Sequence, residues 1–185
     1  SQLFKENKKF IYGSLKPGAR AKDFEIAIQW LVDAGLVYKV PLCKELKLPL
    51  KVYEDPSAFK LFTLDLGLLG AMVGTEAKQV LIKNDIFSEY KGGMTEQYVL
   101  EEMKSNGEEN IFYHKADDGT RLEIDFMIQK DGKLLPIEVK AEGNVRANSL
   151  SNLLRQTPEL HAFRYSMKPY IEQEQMTCYP LYAIQ

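Results

Sequence analysis

Two carboxylates and a lysine in the second half of this chain have the side-chain types that assist hydrolysis with a divalent metal. They are Asp125, Glu138 and Lys140, the last two separated by one residue. Carboxylates supply the hard oxygen ligands that Mg²⁺ prefers, and Mg²⁺ needs only one or two of them beside water and a substrate phosphate. A neighbouring ammonium can orient a metal-bound water or stabilise charge that develops on a phosphate. The three residues are therefore a candidate site if the fold brings them together.

A tight hairpin is predicted to bring the two carboxylates face to face. Strand-like runs at 121–129 and 134–141 flank Asp131-Gly132, a strong signal for a two-residue turn. In that register Asp125 lies opposite Glu138 as a non-hydrogen-bonded pair, with α carbons about 4.5 Å apart. Two ionised carboxylates held this close repel by roughly 1 to 4 kcal/mol. A bound cation would offset the repulsion.

The same register, in which Lys130 faces Lys133, divides the hairpin into two faces. One face is apolar and is predicted to be core; it carries Leu122, Ile124, Phe126, Ile128, Leu135, Ile137, Val139 and Ala141. The other face carries Glu123, Asp125, Glu138 and Lys140. The alternative interpretation is a solvated polar face on which Lys140 pairs with Glu123 and the acids point into water. The residues alone do not choose between the two.

Further helices and strands surround the hairpin in a regular order. A helix from about Met94 to Lys104 and a strand at 111–115 precede it, and Asp118-Gly119 is a second hairpin signal. A helix near Asn148–Gln156 and a strand near Ala162–Ser166 follow it. The second half therefore has the predicted order αβββαβ. Glu96 lies on the inward stripe of the first helix, although a carboxylate in the first turn can merely complement the helix dipole.

The first half predicts a smaller unit. A helix from about Lys22 to Ala34 follows from apolar residues at helical spacing, and Gly35 ends it. Trp30 lies among the apolar positions and is predicted to be core. Strands at 36–40 and 59–64 come next, followed by a short helix at 66–72 with Asp65 as its N-cap.

A helix followed by a two-stranded wing is typical of a winged-helix unit. The predicted fold class is therefore α/β (α+β), with a winged-helix-like unit and connector at 1–91 and a second domain at 92–185. Gly92-Gly93 is the predicted break between them.

Composition limits the function classes. The chain is 45% hydrophobic and 27% charged with net charge −2, and no apolar run approaches the roughly 18 residues of a membrane span. We expect a cytoplasmic protein that does not contact a membrane. Cys43 and Cys178 are expected to be idle reduced thiols, because neither belongs to a zinc or disulfide pattern. His114 and His161 form no metal or triad spacing with them.

The charge is unevenly distributed. Residues 1–51 carry ten Lys and Arg against five Asp and Glu, giving +5, and the remainder therefore carries −7. A basic first part favours a nucleic-acid partner and an acidic remainder favours a protein partner, although lysines that simply solvate the surface explain the pattern equally well.

The order αβββαβ with these acids resembles the restriction-endonuclease-like fold of the PD-(D/E)XK superfamily. In that superfamily an acid on the second strand and an E-x-K or D-x-K on the third strand bind metal. The resemblance assigns these roles to Asp125, Glu138 and Lys140. It also implies that Glu96 assists from the first helix and that the Val139 carbonyl is a further ligand. The implied cofactor is Mg²⁺ or Mn²⁺, and the implied substrate is DNA.

A narrower resemblance covers nearly the whole chain. It is carried by KENKKFIY at 5–12, WLVDAGL at 30–36, EQYV at 96–99, EIDF at 123–126 and PIEVK at 136–140. These stretches resemble the C-terminal region of bacterial and archaeal AAA-type ATPases, in which a P-loop ATPase module precedes a nuclease-like domain of unknown function. The chain contains no G-x-x-x-x-G-K-[ST] segment, so ATP hydrolysis is not expected here and the N-terminal ATPase module is an expected partner.

A further stretch after the third strand matches the same family. Arg146 and Ser149, in NVRANSL at 144–150, contact phosphate or cap the following helix, and the two interpretations are equally supported. The leading hypothesis is a Mg²⁺-dependent nuclease-like domain that acts on DNA. The rivals are a non-catalytic module that recruits DNA or protein for the ATPase and a purely protein-interacting regulatory domain.

Overall fold

The computed structural model describes residues 8–18, 20–73, 91–116, 122–141 and 148–184. The described helices are α1 (Ala21–Asp33), α2 (Leu66–Val73), α3 (Lys91–Ser105) and α4 (Asn148–Gln156). The described strands are β1 (Val37–Cys43), β2 (Glu54–Thr63), β3 (Phe112–Lys115), β4 (Glu123–Lys130), β5 (Lys133–Lys140), β6 (Ala162–Ser166), β7 (Ile171–Gln173) and β8 (Met176–Pro180). Short 3-10 helices lie at Tyr12–Ser14, Leu50–Tyr53 and Leu181–Ala183. The predicted mixed α/β class is confirmed.

One sheet joins the two halves of the chain. Within the described residues its eight strands have the order β2-β1-β3-β4-β5-β6-β8-β7. β1 pairs antiparallel with β2 and parallel with β3, so the hairpin of the first half continues the sheet of the second half. The winged-helix assignment and the domain division at residue 91 stay predictions.

The second half has the predicted element order, with α3, β3, β4 and β5 followed by α4 and β6. The parallel pairing of β5 with β6 requires a crossover, and α4 lies in it. Gly92 and Gly93, which were predicted to mark the boundary before the second unit, both lie inside α3, and the boundary itself stays a prediction. Gly93 is buried, so the helix gains packing there that offsets the poor helix propensity of glycine. The predicted turn at Asp118-Gly119 lies outside the described residues.

Apolar clusters cover both faces of the sheet. On one face, which we call the α3 side, Val99, Leu100 and Met103 of α3 belong to the same cluster as Phe126 and Ile137. On the other face, the α4 side, Leu150 and Leu154 of α4 belong to a cluster with Ala162, Met176 and Cys178. The sheet is therefore buried on two sides, unlike the hairpin with one polar face that the sequence predicts.

A β-bulge in β4 changes the predicted alternation. Phe112 pairs with Met127 whereas His114 pairs with Ile124, so β4 has one residue more than β3 in this interval. Ile124 consequently packs in one cluster with Met127, and Phe126 packs on the α3 side. The prediction that Leu122 and Ile124 share a face with Phe126 is wrong, because a bulge reverses the parity of the residues before it.

α1 covers the outer strands with a narrow stripe. Ile28 packs with Phe59 and Leu61 of β2, and Val32 lies beside them. Trp30 is 72% exposed, so the prediction that it is core is wrong. A residue two positions from Ile28 points to nearly the opposite side of a helix. The predicted helix end is confirmed, because Gly35 adopts φ +69° and the Leu36 N–H donates to the Leu31 carbonyl.

Gln97 of α3 forms two hydrogen bonds with the backbone at the end of β2. Its Nε2 donates to the Thr63 carbonyl at 2.8 Å, and its Oε1 accepts the Thr63 N–H at 3.0 Å. The side chain is buried. It therefore satisfies two backbone groups that the sheet does not use, and it links the two halves of the chain.

Replacing Gln97 with Met is expected to lower the free energy of unfolding by about 2 to 5 kcal/mol, because two buried backbone groups lose their partners. Urea denaturation measures the change. Gln29→Met is the control, since exposed Gln29 bonds only to Asp33 among the described contacts and should change stability by about 0.5 kcal/mol or less. Equal effects of the two substitutions would contradict the role given to Gln97.

Candidate functional site

The hairpin register is as predicted. Lys130 pairs with Lys133, and the ladder continues to Phe126 opposite Ile137. Asp131 and Gly132 have φ of 52° and 71°, as a two-residue turn of this kind requires. One step beyond the last described pair, Asp125 lies next to Glu138.

Asp125 lies at the bulge, and its Oδ2 accepts the backbone N–H of Val139 at 2.8 Å. The carboxylate therefore links β4 to β5 just beyond the last paired residues, Phe126 and Ile137. The pKa of Asp125 lies above its ordinary value, mainly because the carboxyl group is buried. The charge of Lys60, the Val139 hydrogen bond and the charge of Lys140 lower this pKa, and the charge of Glu138 raises it.

Glu138 projects from the α4 side and is held by two cations. Its neighbours Ile137 and Val139 belong to the α3-side cluster, so Glu138 points to the opposite face. Arg164 Nε and Nη2 lie 2.9 and 2.8 Å from its Oε2, and Lys140 Nζ lies 2.9 Å from its Oε1. The side chains of Glu138 and Arg164 are 10% and 12% exposed. The carboxylate thus has cationic partners on both oxygens.

The remaining acids surround Lys60 of β2. Lys60 Nζ lies 3.2 Å from Oε1 of Glu123 and 4.0 Å from Oε2 of Glu96. Lys115 Nζ lies 3.5 Å from Oε2 of Glu123. The alternative interpretation, in which Lys140 pairs with Glu123 on a solvated face, is therefore wrong. Lys140 pairs with Glu138, and Glu123 pairs with Lys60 and Lys115.

Sequence reasoning missed Lys60 and Arg164. Both interrupt otherwise apolar strand segments, AFKLF at 58–62 and AFRYS at 162–166. A single cation inside a buried strand needs a carboxylate partner, because an unpaired buried charge is strongly unfavourable. That signal could have identified both residues as partners of the acids, although it does not say which acids.

Every acid of this constellation faces at least one cation. Glu96, Glu123, Asp125 and Glu138 lie beside Lys60, Lys115, Lys140 and Arg164. Across the residues that the structure describes, no group of three or more His, Cys, Asp and Glu is arranged to hold a metal ion.

The arrangement therefore does not fit the implied Mg²⁺. Asp125 and Glu138 have suitable oxygen atoms, but the oxygens of Glu138 already have cationic partners. A divalent ion bound by Glu138 would have to displace Arg164 and Lys140 and would leave the buried guanidinium without its partner. The Val139 carbonyl, the third implied ligand, belongs to the residue whose N–H holds Asp125.

The predicted phosphate contacts are not described. Arg146 lies outside the described residues. The backbone of Ser149 lies in the first turn of α4, and its side chain lies outside the described part. A mainly apolar cavity of about 490 Å³ lies elsewhere, near the start of α3; its lining includes Leu66, Met94 and Tyr98 but none of the predicted site residues. None of the helices in the described ranges is long and apolar enough to span a membrane.

Comparison with solved structures gives a weak likeness. Protein VC1899 from Vibrio cholerae is 12% identical over 96% of this chain, with a TM-score of 0.35. This chain spans 43% of the length of that protein, and a likeness at this level carries no argument about fold or function. No curated protein matches the chain.

Two family models match, both for domains of unknown function. DUF8612 matches residues 2–79, and DUF4143 matches residues 91–183. The second match covers half of the chain. DUF4143 occurs in proteins associated with AAA-type ATPases, so that part of the predicted resemblance is confirmed, whereas membership of the PD-(D/E)XK superfamily stays a prediction. The chain belongs to the DUF4143 family.

Proposed function

We propose that this chain is a non-catalytic, protein-binding module of an AAA-type ATPase-associated protein, in which the nuclease-type residues form a charge-compensated core. The observation that supports the proposal is the engagement of Glu138 by Arg164 and Lys140. A carboxylate that is paired on both oxygens stabilises the sheet through its ion pairs. It is not poised to receive a metal.

Electrostatics gives the reason. Removing one partner of a buried ion pair typically costs about 3 to 5 kcal/mol, because the other charge stays buried without compensation. A metal that took Glu138 from Arg164 would incur such a cost, since Arg164 is itself only 12% exposed. The other acids of the constellation also face cations, so they do not offer the metal an uncompensated carboxylate to offset this cost.

The exposed side of α1 is the surface that suits a protein partner. Ile26 and Trp30 are 81% and 72% exposed, and they lie one helical turn apart on the side opposite buried Ile28. Neighbouring exposed apolar side chains of this size are typical of contact surfaces between proteins. The partner we propose is an apolar surface of the ATPase module with which DUF4143 proteins are associated.

A Mg²⁺-dependent nuclease that acts on DNA is the second candidate. One observation favours it: Asp125, Glu138 and Lys140, all predicted from the sequence, do lie within electrostatic reach of one another. Such a nuclease would require Glu138 to leave Arg164. Metal binding and cleavage therefore separate the two candidates.

Calorimetric titration with Mn²⁺ is expected to give no binding heat for the wild type or for Asp125→Ala. Plasmid DNA incubated with Mn²⁺ and wild-type protein is expected to stay uncut beyond the level given by Lys140→Ala, because no catalytic metal is held. Wild-type binding that Asp125→Ala abolishes, together with cleavage that Lys140→Ala abolishes, would establish the nuclease instead.

Replacing Arg164 with Met is expected to lower the free energy of unfolding by about 3 kcal/mol or more, since Glu138 loses its guanidinium partner. Adding Glu138→Gln to that variant should recover part of the loss, because the uncompensated charge is gone. Urea denaturation measures both effects. Arg155→Met is the control on exposed α4 surface, with an expected change of about 0.5 kcal/mol or less. A loss at Arg164 as small as this would contradict a structural role for the pair.

Trp30 is the single tryptophan of the chain, so its fluorescence reports directly on the proposed surface. Mixing the chain with a tryptophan-free ATPase module of a DUF4143-associated protein should shift the emission to shorter wavelength, because the indole leaves water. Ile26→Glu should abolish the shift, and Gln29→Glu, which adds the same charge at the flank of the apolar pair, should reduce it less. An unchanged spectrum, or equal effects of the two substitutions, would count against this surface.

A further inference from the structure

The cation at the centre of the acidic residues comes from the other half of the chain. Lys60 lies in β2, within the region that matches DUF8612, whereas Glu96, Glu123 and Asp125 lie in the region that matches DUF4143. β2 lies two strands away from β3 in the sheet, and β4 lies beyond it. Only the long side chain of Lys60 brings its charge to the acids.

Lys60 is almost completely buried. Its exposed fraction is 1%, and it lies between Ala58 and Phe62 on the face of β2 that belongs to the α3-side cluster. Its Nζ lies 5.1 Å from the centre of the Tyr113 ring, in addition to its contacts with Glu96 and Glu123. A lysine inside an apolar cluster is tolerated only if its charge is paired.

The acids keep this lysine charged. Burial alone lowers the pKa of Lys60, but the charges of Glu96, Asp125 and Glu123 outweigh it, so the pKa lies above its ordinary value. The dependence runs in both directions, because the charge of Lys60 also lowers the pKa of Asp125. Lys60 and Asp125 therefore favour each other's charged forms, against the burial that disfavours both.

We infer that Lys60 is the resident counter-cation of Glu96, Glu123 and Asp125, and that its ammonium serves the electrostatic role that the nuclease resemblance gives to a divalent metal. The acids do not fit the implied Mg²⁺ because the ammonium of Lys60, which comes from β2, already lies among them. Glu96 and Asp125 were both implied as members of a metal site, and both interact with Lys60 instead.

Removing the ammonium takes away the cation that Glu96, Glu123 and Asp125 all face. These carboxylates then favour any cation that can enter, and oxygen ligands favour a hard divalent ion. Lys60→Met should therefore acquire an affinity for Mn²⁺ that the wild type lacks. The long apolar side chain of Met retains most of the packing volume of Lys, so the substitution mainly removes charge.

The test measures free Mn²⁺ by electron paramagnetic resonance and thermal unfolding by circular dichroism, with and without Mn²⁺, on the whole chain. Lys60→Met is expected to bind Mn²⁺ at least about tenfold more tightly than the wild type, since each lost charge contact at this range is worth more than a factor of ten. Its lowered Tm should rise on addition of Mn²⁺. Lys60→Gln, which can still donate to Glu123, should show the same gain.

Three controls locate the effect. Lys60→Arg keeps the positive charge and should bind no more Mn²⁺ than the wild type. Lys39→Met removes a lysine of β1 that lies over the Phe59 ring at 4.4 Å, on the other face, and should also show no gain. Adding Asp125→Asn to Lys60→Met should remove most of the acquired affinity.

The inference is overturned if Lys60→Met and Lys60→Gln both fail to bind Mn²⁺ and both fail to be stabilised by it, whether or not they fold without metal. It is also overturned if the wild type binds Mn²⁺ as tightly as Lys60→Met, or if Lys39→Met gains equally. These comparisons between variants do not depend on DNA cleavage or on partner binding. The proposed function can therefore fail while the role of Lys60 stands.

Discussion

Carboxylates that leave water must be compensated, and this constraint governs the centre of the sheet. Glu138 is compensated on the α4 side by Arg164 and Lys140, and the acids on the α3 side are compensated by Lys60. Arg164 and Lys60 come from strands other than those of the acids that they compensate. Lys140 lies in β5 itself, two residues after Glu138. The acids that resemble a nuclease site therefore also hold strands together.

The same constraint ties the two halves of the chain into one body. β1 and β3 share backbone hydrogen bonds, Gln97 closes the end of β2, and Lys60 carries charge from β2 to α3 and β4. The segments that match DUF8612 and DUF4143 thus supply hydrogen-bond and ion-pair partners to each other. The acids are thus engaged within the sheet, and the exposed side of α1 is the surface that we propose for a partner.

Local signals in the sequence predicted much of this fold. Asp131-Gly132 was sufficient for the hairpin register, because few turns join two strands through two residues, and the bounds of α4 and β6 were also predicted. Features that depend on distant packing were not predictable in this way. The bulge beside Asp125 is set by pairing with β3, Trp30 is exposed because α1 packs through a narrow stripe, and Lys60 meets its acids only in the folded sheet.

Anomalous scattering from a crystal soaked in Mn²⁺ tests the central claim most directly. We expect the Arg164 guanidinium to stay on Glu138 and no manganese peak to lie within coordination distance of Glu138 or Asp125. A manganese ion bound by both carboxylates, with Arg164 turned away, would contradict it.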